Sequence, residues 1–118
     1  MRADALIADQ GGRVFARVQR AHSPWERMRG LLGRPCLSAD QALLIEPCNS
    51  VHTFGMRYPI DVLFLDGELR VLAIAADLRP GRMAWSWRAR RVLEMAAGSA
   101  QHLAIGVGDQ LRWKEHAS

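Results

Sequence analysis

The chain is short of cysteine, tyrosine and lysine, and it contains no long apolar run. Cys36 and Cys48 are its two cysteines and they form no CxxC pair. A disulfide framework or cysteine-rich metal site is thereby excluded and a reducing compartment implied, with one Cys36–Cys48 bridge as the alternative state. The longest apolar stretch, Val71-Leu72-Ala73-Ile74-Ala75-Ala76, falls far below the ~18 residues of a membrane span. Met1-Arg2-Ala3-Asp4 opens no secretory signal, so a cytoplasmic location is expected. The four histidines stand apart at 22, 52, 102 and 116 without ligand spacing, and neither metal nor cofactor is expected. Lysine occurs once, so 15 of 16 basic residues are arginine; set against 12 acidic residues, the net charge of +4 names no partner by itself. Repeats and low-complexity segments are absent.

What is present suits one domain over residues 1–118. A chain of this length buries somewhat over ~60% of its unfolded surface, enough for a core without staples. Residues 4–19 read as two strands about a Gly11-Gly12 turn, with Val14, Ala16 and Val18 at period two. Ser23-Pro24-Trp25-Glu26 is a helix start, with a Ser cap, Pro at the first helical position and Glu at the capping-box position. The spacing predicts a helix over about 24–32 that turns Trp25, Met28, Leu31 and Leu32 inward and ends at Gly33 and Pro35. Short β-like runs follow at 42–45, 51–54, 60–65, 69–76 and 91–95. Asp66-Gly67 between two apolar runs predicts a hairpin over 60–76 whose two turn residues take positive φ. Ser99 to Ala104 can form one helical turn before Gly106, and Gly108-Asp109 leads into a last strand through Leu111 and Trp113. The expected fold is mostly β, α+β at most: a small barrel or sandwich of short, mainly antiparallel strands with one or two short helices.

The stretch from Val51 through His52-Thr53-Phe54-Gly55-Met56-Arg57-Tyr58-Pro59-Ile60-Asp61 to Asp66 resembles the signature of domain-of-unknown-function family 192 of bacteria and archaea. Glu26 to Arg34 is similar to that family's opening helix, and Val92 to Gly98 with Gly108-Asp109 to its closing segment, so the resemblance covers about residues 21–112. It implies a compact, mostly β domain and assigns no activity. Exported members carry an aromatic-Trp-Met-Lys-Asn run where this chain has Phe54 to Tyr58.

Three groups of residues carry chemistry. Cys48, Ser50 and His52 share a parity, and a thiolate beside an imidazole is the minimum of a nucleophilic pair, against a small buried Cys and a strand-end His. Asp61 interrupts a strand apolar on both faces, and Glu94 sits among Val92, Leu93 and Met95; each carboxylate must find donors, as an anchor of the fold or as an acceptor in a polar cleft. Donors for Asp61 are sought in Arg57, Thr53 or the amides near Gly55, a glycine that marks a bend. Residues 79–91 hold five arginines, Trp85 and Trp87 on one side, and no acid. That pattern suits an interface centred on Trp85, Trp87 and Arg88, or two Trp plugging a barrel end.

The function expected is a non-enzymatic cytoplasmic binding or accessory domain for a small molecule or a protein. Its ligand-binding cleft comprises His52, Thr53, Gly55, Arg57, Asp61 and Glu94. One alternative is a small enzyme using Cys48 and His52, or His52 with Asp61 and Glu94. The other is a nucleic-acid or protein binder through residues 79–91, a protein being the favoured partner there.

Overall fold

The computed structural model describes residues 3–8, 13–21 and 36–113. The expected helix over 24–32, its Ser23 cap and the Gly11-Gly12 turn lie outside the described residues. The hairpin read from residues 4–19 is present as β1 (Ala3–Ala8) antiparallel to β2 (Arg13–Ala21). β2 then pairs in parallel with β3 (Gln41–Ile45), a pairing that a tight hairpin cannot make. The run at 51–54 shortens to β4 (Ser50–His52). The run at 60–65 is β5 (Ile60–Leu65), paired with β6 (Val71–Leu78). β7 (Met83–Trp85) has no counterpart among the expected strands. β8 (Arg91–Ala96), the one-turn helix α1 (Ser99–His102) and β9 (Leu111–Trp113) complete the described elements.

Seven strands form one sheet in the order β6-β5-β8-β3-β2-β1-β9, and β4 and β7 form a separate ribbon. Strand alternation sorts the core into two sides. Leu63, Leu65, Leu44, Leu93 and Met95 face one side together with Ala100, Ile105 and Leu111. Ile60, Val62, Phe64, Leu43, Ile45 and Val92 face the other, beneath Val51 and Ala84 of the ribbon. β5 and most of β8 are covered on both sides, which is why their sequences run apolar without alternation although every pairing they make is antiparallel.

The sheet rolls but does not close, so the barrel or sandwich expectation becomes an open, curled sheet with a ribbon over one face. Its two edges meet at one corner, where Arg70 and Gln110 form an isolated bridge and the Leu111 amide donates to the Leu69 carbonyl at 2.9 Å. β9 is only three residues long, too short to extend that bridge into a ladder.

The hairpin over 60–76 is present with a different turn. The Asp66 amide donates to the Arg70 carbonyl at 3.0 Å and the Leu69 amide to the Asp66 carbonyl at 3.1 Å, so the loop has three residues, and the left-handed one is Leu69 at φ 65°. Gly67 does not take positive φ. The reason is energetic: the left-handed conformation costs a leucine ~1–2 kcal/mol, whereas burying its side chain in the core returns ~2 kcal/mol or more. Asp66 locks the loop, its Oδ1 accepting from the Glu68 amide at 2.8 Å and the Arg70 amide at 2.9 Å.

Candidate recognition surface

The ribbon is built by two short alternating segments, Ser50-Val51-His52 and Met83-Ala84-Trp85. Their register sets Ser50 opposite Trp85, Val51 opposite Ala84 and His52 opposite Met83. Val51 and Ala84 point into the core, so Ser50, His52, Met83 and Trp85 share the outer face.

Turns at the ribbon's ends extend that face. The Met56 amide donates to the Thr53 carbonyl at 3.2 Å with Gly55 at φ 83°, a turn whose third residue needs the freedom of glycine. It brings Phe54 back over His52, the two rings 5.4 Å apart and 23° from parallel. At the other end, the Ala89 amide donates to the Ser86 carbonyl at 3.0 Å, and Trp87 stands at the tip of that turn. Phe54, Met83, Trp85 and Trp87 are 51%, 57%, 58% and 83% exposed, so that four of the five large apolar side chains exposed among the described residues belong to the ribbon and its turns, Val107 being the fifth.

Thr53 holds the neighbouring turn. It is fully buried; its Oγ1 donates to the Arg79 carbonyl at 2.6 Å and accepts from the Arg82 amide at 2.9 Å. Its own amide donates to the Arg82 carbonyl at 2.9 Å, and its carbonyl accepts from the Gly81 amide at 3.0 Å. The turn carrying Arg79 and Arg82 is thus anchored beside the aromatic face. Arg57, Arg79, Arg82, Arg88 and Arg90 are all exposed, and among the described residues the carboxylate near Arg79 is that of Asp77, 4.0 Å away in open solvent. Arg91 belongs to the framework instead. It pairs with Glu46 at 2.7 Å and donates to the Gly67 carbonyl at 3.1 Å, while Arg20 takes Glu46 at 3.2 Å and lies over the Trp113 ring at 4.4 Å.

The residues expected to line a cleft are not gathered into one. Asp61 shares its side of the sheet with Leu63, Leu65 and Met95 and is 1% exposed. Its donors are neither Arg57, Thr53 nor the Gly55 turn. They are the Asp77 amide on Oδ1 at 2.8 Å and the Ala100 amide on Oδ2 at 3.0 Å, so the carboxylate ties the irregular end of β6 to the start of α1. Glu94, opposite Val62 and Leu43, is buried on the other side of the sheet. His52 is on the outer face of the ribbon and Thr53 in its clamp, leaving Arg57 and Gly55 exposed. Nor is a Cys48–His52 pair assembled: the thiol donates to the Ser50 carbonyl at 3.0 Å and packs toward the core beneath the ribbon, while the imidazole lies on Phe54. Among the described residues no three His, Cys, Asp or Glu side chains converge in a metal-binding group. Two open grooves instead flank Arg90, about 440 Å³ toward Glu46, Gly67 and Arg91 and about 410 Å³ toward Cys48, Asn49 and Ala89.

Sequence reasoning separated His52 from the Arg/Trp segment, whereas the structure puts both on one surface. It also passed over Phe54 and Met83. The alternation of Met83-Ala84-Trp85 against Ser50-Val51-His52 was the available clue, obscured by the adjoining Pro80-Gly81.

Over residues 6–113 the chain matches the family described as an uncharacterised ACR, domain-of-unknown-function family 192. It is 29% identical over 121 residues to a UPF0127 protein of Thermococcus sibiricus, spanning 92% of this chain and 74% of that protein. A crystal structure of a protein of unknown function from Novosphingobium aromaticivorans superimposes with a TM-score of 0.83 at 25% identity, over 94% of this chain and 85% of the other. Another, from Sinorhizobium meliloti and described as a candidate transcription regulator, gives a TM-score of 0.83 at 24% identity over 94% and 92% of the two chains, a likeness of fold alone. The match takes in the signature running from β4 through β5, the closing segment of β8 and the curled sheet that joins them, and the chain belongs to domain-of-unknown-function family 192.

Proposed function

We propose that the protein is a non-catalytic binding module of the cytoplasm whose recognition surface is the outer face of the β4–β7 ribbon. The observation that carries this reading is the exposure, on a three-residue ribbon and its turns, of Phe54, Met83, Trp85 and Trp87, each more than half accessible. Aromatic residues, Met and Arg are the side chains enriched where proteins bind, and fully exposed tryptophan is otherwise uncommon. The proposed surface takes in the exposed Arg88 beside the Trp pair, and His52 with Phe54 enlarges it. The two free thiols are in keeping with a reducing compartment, and no described helix is long and apolar enough to cross a membrane.

The cleft reading retains Gly55 and Arg57 on the surface, but Thr53 and Asp61 have their hydrogen-bonding capacity engaged by backbone, which favours anchors over ligand contacts. An enzyme reading has less support among the described residues, where the Cys48 thiol donates to the Ser50 carbonyl and His52 stacks on Phe54. The test is a thermal-shift screen of peptides, oligonucleotides, lipids and metabolites against the wild type and the W85A/W87A double variant. A hit that is lost in the double variant but kept in V107A, another exposed apolar residue, supports the ribbon; a hit indifferent to both tryptophans refutes it.

A further inference from the structure

We propose that the ribbon face takes single-stranded nucleic acid, with bases stacked on Trp85, Trp87 and the His52–Phe54 pair and phosphates passing Arg57, Arg79, Arg82 and Arg88. This assignment of the partner rests on the reading of that face as the recognition surface.

Charge complementarity comes first. From Arg79 through Arg91 the sequence contains no carboxylate, and of its five arginines only Arg91 has its guanidinium engaged by a close carboxylate among the described residues. Among the described residues Arg57, Arg82 and Arg88 have no ion pair, and Arg79 has only the exposed Asp77 at 4.0 Å. A second copy of the chain docking face to face would bring these like charges together, which disfavours self-association as the use of this surface.

The rings then discriminate among anionic partners. Acidic peptides would satisfy the guanidinium groups and leave the flat faces of Trp87 and the near-parallel His52–Phe54 pair without planar partners. Insertion into an anionic membrane would remove Ser50 and His52 from water, because both lie on the same outer face as Met83 and Trp85. Nucleobases supply π-faces for the rings while the sugar–phosphate chain supplies regularly spaced charge, and this combination of stacking platform and cationic rim is how single strands are held without base-edge readout. Thr53 is the positioning residue: by clamping the Arg79 and Arg82 carbonyls and the Arg82 amide, it keeps two of the four cations beside the aromatic row.

The test is fluorescence anisotropy of a labelled oligothymidylate of about 12 nucleotides, titrated with the full chain between about 20 and 200 mM salt. Four phosphate contacts on a single strand give a slope of log affinity against log salt of about −3, since each contributes ~0.7. W85A should weaken binding ~10-fold at unchanged slope, with W85F recovering most of the loss, whereas R82Q/R88Q should cut the slope to about −1.4. All these side chains are exposed, so circular dichroism should show folded variants with wild-type melting. Binding of polyglutamate or of phosphatidylglycerol vesicles as tight as that of the oligonucleotide, or tighter, would overturn the nucleic-acid assignment while leaving the ribbon as the binding face. Absence of oligonucleotide binding at the lowest salt would also overturn it. Oligonucleotide binding that W85A/W87A leaves unchanged would overturn both the assignment and the ribbon reading.

Discussion

Replacing Asp61 measures how much one buried carboxylate contributes to the fold. Its two oxygens accept from the Asp77 amide at 2.8 Å and the Ala100 amide at 3.0 Å, and the residue is 1% exposed, so D61A leaves two donors without acceptors in a place water hardly reaches. A stranded buried donor costs ~1–3 kcal/mol. Partial relaxation around the small cavity returns some of that, and the net loss should be about 3 kcal/mol. For a domain of this size that corresponds to a melting temperature lower by roughly 10–15 °C. With a urea m-value of about 1.5 kcal/mol/M, the midpoint falls by about 2 M at unchanged m. D61N keeps one carbonyl oxygen and turns an amide nitrogen toward the other donor, so its midpoint should fall by about half as much. Native-state hydrogen exchange then localises the effect: the Asp77 and Ala100 amides should lose protection in D61A ahead of the β3 and β8 amides. Wild-type melting of D61A, or unchanged protection at those two positions, would refute the account of Asp61 as the tie between β6 and α1.

Three further outcomes follow from the same reasoning. Burial pushes the Asp66 carboxyl upward, but the Arg70 and Glu68 amides and the charges of Arg70 and Arg91 outweigh it and hold the group below its ordinary value. Its contribution is therefore present above about pH 4 and lost as pH falls through the lower folded value, so the urea-midpoint gap between wild type and D66N should shrink from pH ~6 to ~3; a constant gap would contradict this. Ala104 sits at φ 56° with its side chain exposed, so A104G should raise stability by ~1 kcal/mol in thermal melts, and a loss would show that the strain is absent. T53V removes the hydroxyl that accepts from Arg82 and donates to Arg79, and should cost ~1–3 kcal/mol with faster exchange of the Arg82 amide; a neutral result would mean the backbone pairing alone holds that turn.

The parts of the fold legible in the sequence are those set by local chemistry. Alternation in β2, the apolar run of β5, the presence of a turn after Asp66 and the Gly108-Asp109 lead into β9 all follow from residues within a few positions of one another. What is not local was not legible. Asp61 and Glu94 both look like interruptions of buried strands, and whether they meet depends on register, since a one-residue slip moves a side chain to the opposite face. The observed pairing of Asp61 with Met95 and of Val62 with Glu94 separates them by the thickness of the sheet. The donors of Asp61 come from Asp77 and Ala100, 16 and 39 residues away, which no spacing in the sequence announces. The turn at Leu69 shows the same limit at short range, because the choice of its left-handed residue was made by a distant core rather than by Asp-Gly.

That contrast also bears on where function resides. Among the described residues several polar groups have structural occupations: buried Asp61 holds α1 to β6, buried Thr53 holds the 79–82 turn, and half-buried Glu46 joins Arg20 to Arg91. Of the residues that first invite a catalytic reading, Asp61 and Glu94 are buried and only His52 stands on the outer face. On the ribbon the usual partition is reversed, with Met83, Trp85, Trp87 and Phe54 in water and unengaged arginines around them. Folding alone gives no reason to keep four large apolar side chains exposed, since each could be polar at no cost to the core. A surface that departs from what folding requires, on a framework where Asp61 and Thr53 are already occupied by folding, is the physical ground for the proposed binding face.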